Sequence, residues 1–236
     1  MTTQHDVDRN IVDALKEKIA LGSRILYKLG LVDYLGHISA RVPGTDFVLI
    51  RARGSEQGSQ LHMTAEQVTM VDIEAKHVEG NYPSPDETKL HTEIYKARPD
   101  ALAVVHTHQP ITTIFGDLER RILPMQGVMA AVARQEIPIY QSARKVTTTE
   151  QGAELARVMG DKSIVHLRNH GIAIAGRLVE EVVINAIWLE HQAKLTLWAS
   201  MIGEPRGMSQ ADADAQVSEG FGVEGRWRYY VGLLDE

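Results

Sequence analysis

His106 and His108 stand two residues apart at the end of an unbroken apolar run, residues 101–105. If that run is a strand, its side chains alternate and both imidazoles project from one face, a two-toothed clamp for a divalent cation. A lone His-x-His is weak evidence, because a chain with 10 histidines produces such pairs by chance. A third ligand is needed, and His170 offers itself. It lies in Asn169-His170-Gly171, a turn between two apolar segments, from which a polar side chain reaches a cleft at the sheet edge. The plainer reading of that turn is an exposed imidazole. Three neutral imidazoles leave a coordination position open, which describes a catalytic site for zinc, manganese or a similar ion. Glu87 follows the rigid Pro83-Ser84-Pro85 loop at a helix start. It offers either a fourth ligand or the acid/base beside the metal, against the plain alternative of a first-turn carboxylate stabilising the helix dipole. His91, one turn further on, shares the face of Glu87 and is read as an outer partner of the site. His5, His62, His77 and His191 lie in polar or helical surroundings and are read as solvated, while His166 points either into or away from the core.

The elements that must position these groups are legible from the pattern. Apolar residues at Val7, Ile11, Leu15, Ile19, Ile25, Leu26 and Leu29 recur at helical spacing until Gly30 stops them. Residues 36–41, the Pro43-Gly44 turn and residues 47–50 read as a hairpin, and residues 70–73 as another strand. The prolines at 83 and 85 make residues 80–85 a loop, after which Asp86 is available to cap a helix over residues 87–97. Residues 101–105 read as a strand buried on both faces, with His106-Thr107-His108 at its end. Residues 164–167 and 172–175 are two further apolar runs, and residues 178–201 one long helix. The stretch 203–236 is a C-terminal tail carrying Trp227, Tyr229 and Tyr230, available to contact a neighbouring subunit.

At 236 residues the chain fits a single domain on the prior of about 150 residues per domain. Hydrophobic residues at 44% and charged residues at 24% support a core and argue against disorder. The net charge of −6 gives no electrostatic pull toward nucleic acid or an anionic membrane. With no cysteine, disulfides and thiolate metal sites are excluded, which fits a cytoplasmic protein. No leader segment and no apolar run of about 20 residues is expected. Partners are therefore expected to be a small molecule and further copies of the chain, with no nucleic acid, no membrane and no organic cofactor.

Taken together, residues 36–41 (Gly-His-Ile-Ser-Ala-Arg), Glu87 with His91 and Arg98-Pro99-Asp100, Val104-Val105-His106-Thr107-His108 and Asn169-His170-Gly171 resemble the class II aldolase/adducin family, in register over residues 8–202. The resemblance implies one three-layer α/β/α domain over residues 1–236 with a central, mostly antiparallel sheet. It also implies a homotetramer with sites at subunit interfaces. By carry-over, His106, His108 and His170 are the ligands of one divalent metal per subunit, and Glu87 is the acid/base that approaches or joins it.

The same family hosts aldolases, epimerases, dehydratases and decarboxylases, so the departures carry the information. Sugar-phosphate members typically have Gly-Asn where this chain has Gly36-His37. Their Thr-Gly phosphate loop aligns with Arg53-Gly54, and their small hydroxyl residues align with Pro85-Asp86, whose carboxylate would repel a phosphate dianion. Their protonating tyrosine falls near Gly127, ahead of Val128-Met129-Ala130-Ala131, so the usual phenol is missing here. Arg51-Ala52-Arg53 places two guanidinium groups on one face of an extended strand, suited to a carboxylate or else an ordinary basic strand edge. Gly-His-Ile-Ser followed by Arg-x-Arg looks like the decarboxylase branch, which acts on hydroxylated aromatic or pyridine dicarboxylates and related ring-cleavage acids. The expected catalytic residues are Glu87 and then His37. The expected substrate contacts are Arg51, Arg53, Ser39, Tyr229 and Tyr230. Two rivals stand beside this: an aldolase or epimerase of a non-phosphorylated substrate on the same metal, and an adducin-like interaction module. The complete His/Glu set and the lack of a long basic tail speak against the module.

Overall fold

The computed structural model describes residues 7–53, 58–216 and 222–236; His5 and Gly54, singled out above, lie outside them. Helix α1 (Arg9–Lys28) starts where the Asp8 carboxylate accepts from the Asn10 N–H, and it buries Val12, Ile19, Ile25 and Leu26. It feeds a hairpin of β1 (His37–Arg41) and β2 (Phe47–Arg51), followed by β3 (Val68–Asp72) and the short β4 (His77–Glu79). Helix α2 (Thr88–Ala97) then leads to β5 (Ala103–Thr107), α3 (Pro110–Asp117), β6 (Ile139–Tyr140) and α4 (Thr149–Met159). The strands β7 (Ile164–Leu167) and β8 (Gly171–Gly176) precede α5 (Val179–Ile202), α6 (Gln210–Ala215) and α7 (Val223–Gly232). Glu87, not Asp86, is the residue that precedes α2, and Asp86 instead pairs with Arg53 and Lys145.

The strands form one sheet in the order β4-β3-β2-β1-β5-β8-β7-β6, antiparallel throughout except for the parallel β6–β7 pair. Alternation divides β5 between two cores. Ala103 and Val105 pack with α1 and α5 residues such as Ile19, Leu26, Val183 and Leu189, while Val104 packs with Leu90 and Ile94 of α2 and Leu155 of α4. The result is the three-layer α/β/α arrangement with a mostly antiparallel sheet that the resemblance implied. Burial of β5 on both faces arises here in an antiparallel sheet, because helices cover both sides. Among the described residues no helix is long and apolar enough to cross a membrane.

The described part of the tail carries α6 and α7, and α7 packs on its own chain. Trp227 is buried in the core that holds α1 and α5, Arg226 lies over the Trp188 ring at 4.5 Å, and the Trp188 indole N–H donates to the Tyr230 hydroxyl at 3.2 Å.

Candidate active site

Sheet register does most of the assembly. In the antiparallel β1–β5 pair, His37 lies directly opposite His106, and Ser39 opposite Val104, so His37, Ser39 and His106 share the face covered by α2 and α4. Next door in β8, the reversal from β7 passes through Asn169, whose φ of 52° is the left-handed geometry that asparagine tolerates. His170 therefore emerges beside β5. Gly171 makes this approach attainable, since a Cβ there would lie 2.2 Å from the Thr107 carbonyl oxygen.

The three histidines predicted as ligands converge. His106 Nε2 and His108 Nε2 are 3.0 Å apart, and the rings of His106 and His170 are 4.9 Å apart. The tautomer of His106 is set by its other nitrogen: Nδ1 lies 2.8 Å from the Ile172 carbonyl, which only accepts, so Nδ1 carries the proton and Nε2 is bare. Glu87 closes the group, with Oε2 3.5 Å from His170 Nε2 and 3.8 Å from His106 Nε2, and with Oε1 accepting the Val146 N–H at 2.9 Å. Burial alone would raise the Glu87 carboxyl, but the hydrogen bond to His170, the neighbouring charges of His106 and His170, and the Val146 N–H outweigh it and bring the group to about 2. Burial, helped by mutual repulsion, pushes His106 and His108 below the ordinary imidazole range. A bare His106 Nε2 beside an ionised carboxylate is the arrangement a divalent cation requires. The residues present therefore fit such an ion, with His106, His108 and His170 as the set and Glu87 within reach. A second group, His37, Glu87 and His106, also brings its ligand atoms within 4.8 Å of one another.

Of these groups His37, Glu87, His108 and His170 line a cleft of about 720 Å³. The same cleft is lined by Arg51, Arg53, Asp86 and Lys145. Of the two arginines expected as substrate contacts, Arg53 stands at the rim, about half exposed, paired with Asp86. Lys145 Nζ lies 3.5 Å from the other Asp86 oxygen. The repulsion expected of Asp86 toward anions is thus offset, and the rim presents two cations to one carboxylate. Arg51 also lines the cleft, but its terminal nitrogens donate to the carbonyls of Gly36 and Tyr34 at 3.1 Å each, and burial lowers it to about 10. It pins the loop that delivers His37 instead of offering its fork to a ligand.

Two further expectations are placed elsewhere. Ser39 is fully buried behind His37, bonded to His91 and Tyr95, and does not reach the cleft. Tyr229 and Tyr230 lie with Trp188 on a separate surface hollow and do not line the cleft of their own chain. Nor does Gly127, and a different phenol, the exposed Tyr34, stands at the cleft mouth. Sequence reasoning missed Lys145, which sits in an irregular loop with no periodic signal, and Tyr95. For Tyr95 a signal existed, since Glu87, His91 and Tyr95 recur at every fourth position of one helix face.

Residues 17–197 match the class II aldolase and adducin N-terminal domain. The chain belongs to this family. It is 32% identical over 235 residues to 3,4-dihydroxyphthalate decarboxylase of Arthrobacter keyseri, covering 93% of each chain. It is 31% identical over 239 residues to the protein of the same name from Terrabacter sp. (strain DBF63), covering 94% of this chain and 97% of that one. In three dimensions it resembles an aldolase II superfamily protein from Pseudomonas syringae, with a TM-score of 0.83 at 24% identity over 98% of this chain and 96% of the other, a likeness of fold alone.

Proposed function

We propose that the chain is a divalent-metal-dependent carboxy-lyase that removes CO₂ from a hydroxylated aromatic di-acid. The observation that supports this most is one cleft that brings together a three-histidine, one-carboxylate cluster and a rim of two cations to one carboxylate. The relatives named above point the same way, since 3,4-dihydroxyphthalate is a ring with two adjacent carboxylates and a hydroxyl beside one of them. Such a molecule offers a hydroxyl and its neighbouring carboxylate to a Lewis acid, and a second carboxylate beside them to cations.

Held by His106, His108 and His170, a divalent ion, zinc or manganese or similar, would supply Lewis acidity at the oxygen next to the scissile carboxylate and draw off the charge left as CO₂ departs. Arg53 and Lys145 bind the second carboxylate and so stand the reacting bond over the histidines. Glu87 enters ionised. It takes the proton of the substrate hydroxyl at Oε2 and returns it to the ring carbon from which CO₂ has left, while the Val146 N–H holds its other oxygen in place. Atoms balance: one di-acid gives CO₂ and a mono-acid, with no external oxidant or reductant. The same reading takes the protein as a cytoplasmic homotetramer in which Tyr229, exposed at 65%, meets a neighbouring subunit.

The test is CO₂ release from a panel of ortho-hydroxy aromatic di-acids by metal-analysed protein, with a chelator-treated control. Release that chelation abolishes and added metal restores is expected. Bound metal without release on any di-acid, combined with aldehyde formation from hydroxy-carbonyl compounds, would overturn the decarboxylase in favour of aldol cleavage.

A further inference from the structure

Behind His37 runs a line of buried polar groups that the proposed chemistry does not use. His37 Nδ1 lies 2.7 Å from His91 Nε2; His91 Nδ1 lies 2.7 Å from Ser39 Oγ; and Ser39 Oγ lies 2.7 Å from the Tyr95 hydroxyl. All four side chains are buried, His91 and Ser39 completely. The line follows from matched periodicities. Two residues along β1, from His37 to Ser39, advance about 7 Å, and four along α2, from His91 to Tyr95, advance about 6 Å, so the successive cross-layer pairs stay in step. Polar groups buried in this way must find partners for their hydrogens, and counting those hydrogens gives the line a direction.

Ser39 has one hydroxyl hydrogen and Tyr95 has one; each neutral imidazole has one. A second proton on either imidazole would put a further hydrogen into a 2.7 Å contact that already holds one, so both are counted as neutral. Suppose Tyr95 donates to Ser39, Ser39 donates to His91 Nδ1, and His91 donates from Nε2 to His37 Nδ1. Every hydrogen then lies in a 2.7 Å contact, and the one proton remaining is on His37 Nε2, the nitrogen left for the cleft. Run in reverse, His37 donates to His91 and His91 to Ser39. The Ser39 hydrogen must then turn to the Val104 carbonyl at 3.5 Å, outside the usual O–H···O range, or to the Tyr95 oxygen. In the second case the phenol's own hydrogen, at 1% exposure, loses Ser39 as its acceptor. The first direction keeps every contact of the line at 2.7 Å, and the reverse leaves one hydrogen at 3.5 Å or without an acceptor.

We propose that Tyr95, Ser39 and His91 form a one-way hydrogen-bond relay that holds His37 as its Nε2–H tautomer, so that His37 meets the substrate as an uncharged hydrogen-bond donor and stands outside the metal's ligand set. The substrate half of this statement rests on the decarboxylase reading; the tautomer does not. Of the two overlapping ligand groups, the relay selects His106, His108 and His170, because a nitrogen bearing a proton binds no metal. The donor faces the same end of the cleft as Glu87, where it suits a carboxylate or phenolate oxygen. His91, Ser39 and Tyr95 are positioning residues, acting through His37.

The test is a long-range proton–nitrogen correlation spectrum of the zinc-loaded protein with labelled histidine, the His37 signals being assigned by their loss in His37→Asn. A proton on Nε2 with a bare Nδ1 is expected; a proton on Nδ1, or a metal-shifted Nε2, would overturn the relay whatever the enzyme's substrate proves to be. As a second arm, Ser39→Ala should mix the two His37 tautomers and lower kcat about tenfold, with KM and bound zinc unchanged, and Ser39→Thr should restore both. A Ser39→Ala protein with the wild-type His37 tautomer would also sink the proposal. Metal-loaded spectra need no turnover, so failure of the decarboxylase reading leaves this result intact and separately readable.

Discussion

The floor of the cleft and its rim are built by opposite rules. At the floor, His106, Glu87 and His37 are buried, and each is fixed by at least one hydrogen bond to the backbone or to another buried group. At the rim, Arg53, Asp86 and Lys145 have 52%, 45% and 58% of their side chains exposed and hold one another through ion pairs that water screens. A donor fixed by the fold cannot follow a changing ligand, whereas a solvated pair exchanges partners at little cost. The floor therefore suits the reaction that related substrates share, and the rim suits the choice among them.

If this division is right, the largest effect comes from the floor. His106→Ala should abolish activity and lower metal affinity by more than the roughly 100-fold expected of an outer partner, while the protein stays folded; wild-type metal content by elemental analysis would remove the ligand assignment. Next, Glu87→Gln should cut kcat by about 10²–10⁴ with KM nearly unchanged. An unaltered kcat would move the proton to another group. At the rim, Lys145→Met should raise KM for the di-acid about tenfold and leave kcat alone, with little effect on a mono-acid analogue. A fall in kcat instead would erase the contrast between floor and rim. Smallest is the tail: Tyr229→Ala should weaken the assembly and change KM by less than about fivefold, as most interface truncations do. Sedimentation of the unsubstituted protein as a monomer would end the role given to a neighbouring subunit.

Much of the floor was legible in the order of residues. His106 and His108 share a face because strand side chains alternate, and His170 follows from a turn whose Asn-His-Gly composition announces itself. The rim was legible only by halves. Arg53 was read as a carboxylate contact, yet its pairing with Asp86, 33 residues on, and the presence of Lys145, 59 residues beyond Asp86, depend on loops that carry no period. Arg51 and Ser39 show the same limit from the other side. Arg51 belongs to the Arg-x-Arg pair and Ser39 to the Gly-His-Ile-Ser segment from which substrate contacts are expected, and the fold turns one to backbone carbonyls and the other inward to α2.

What the sequence determined by itself is therefore what is written locally: the helices, the strand pattern with its polar ends, His106, His108 and His170 as candidate ligands, and the family. Tertiary structure decided which partners those side chains keep. It set His37 opposite His106 by strand register and laid α2 across β1, so that His91 and Tyr95 meet His37 and Ser39. Periodicity is a property of neighbours in the chain, while the proton on His37 Nε2 follows from groups up to 58 residues away that only packing brings within 2.7 Å.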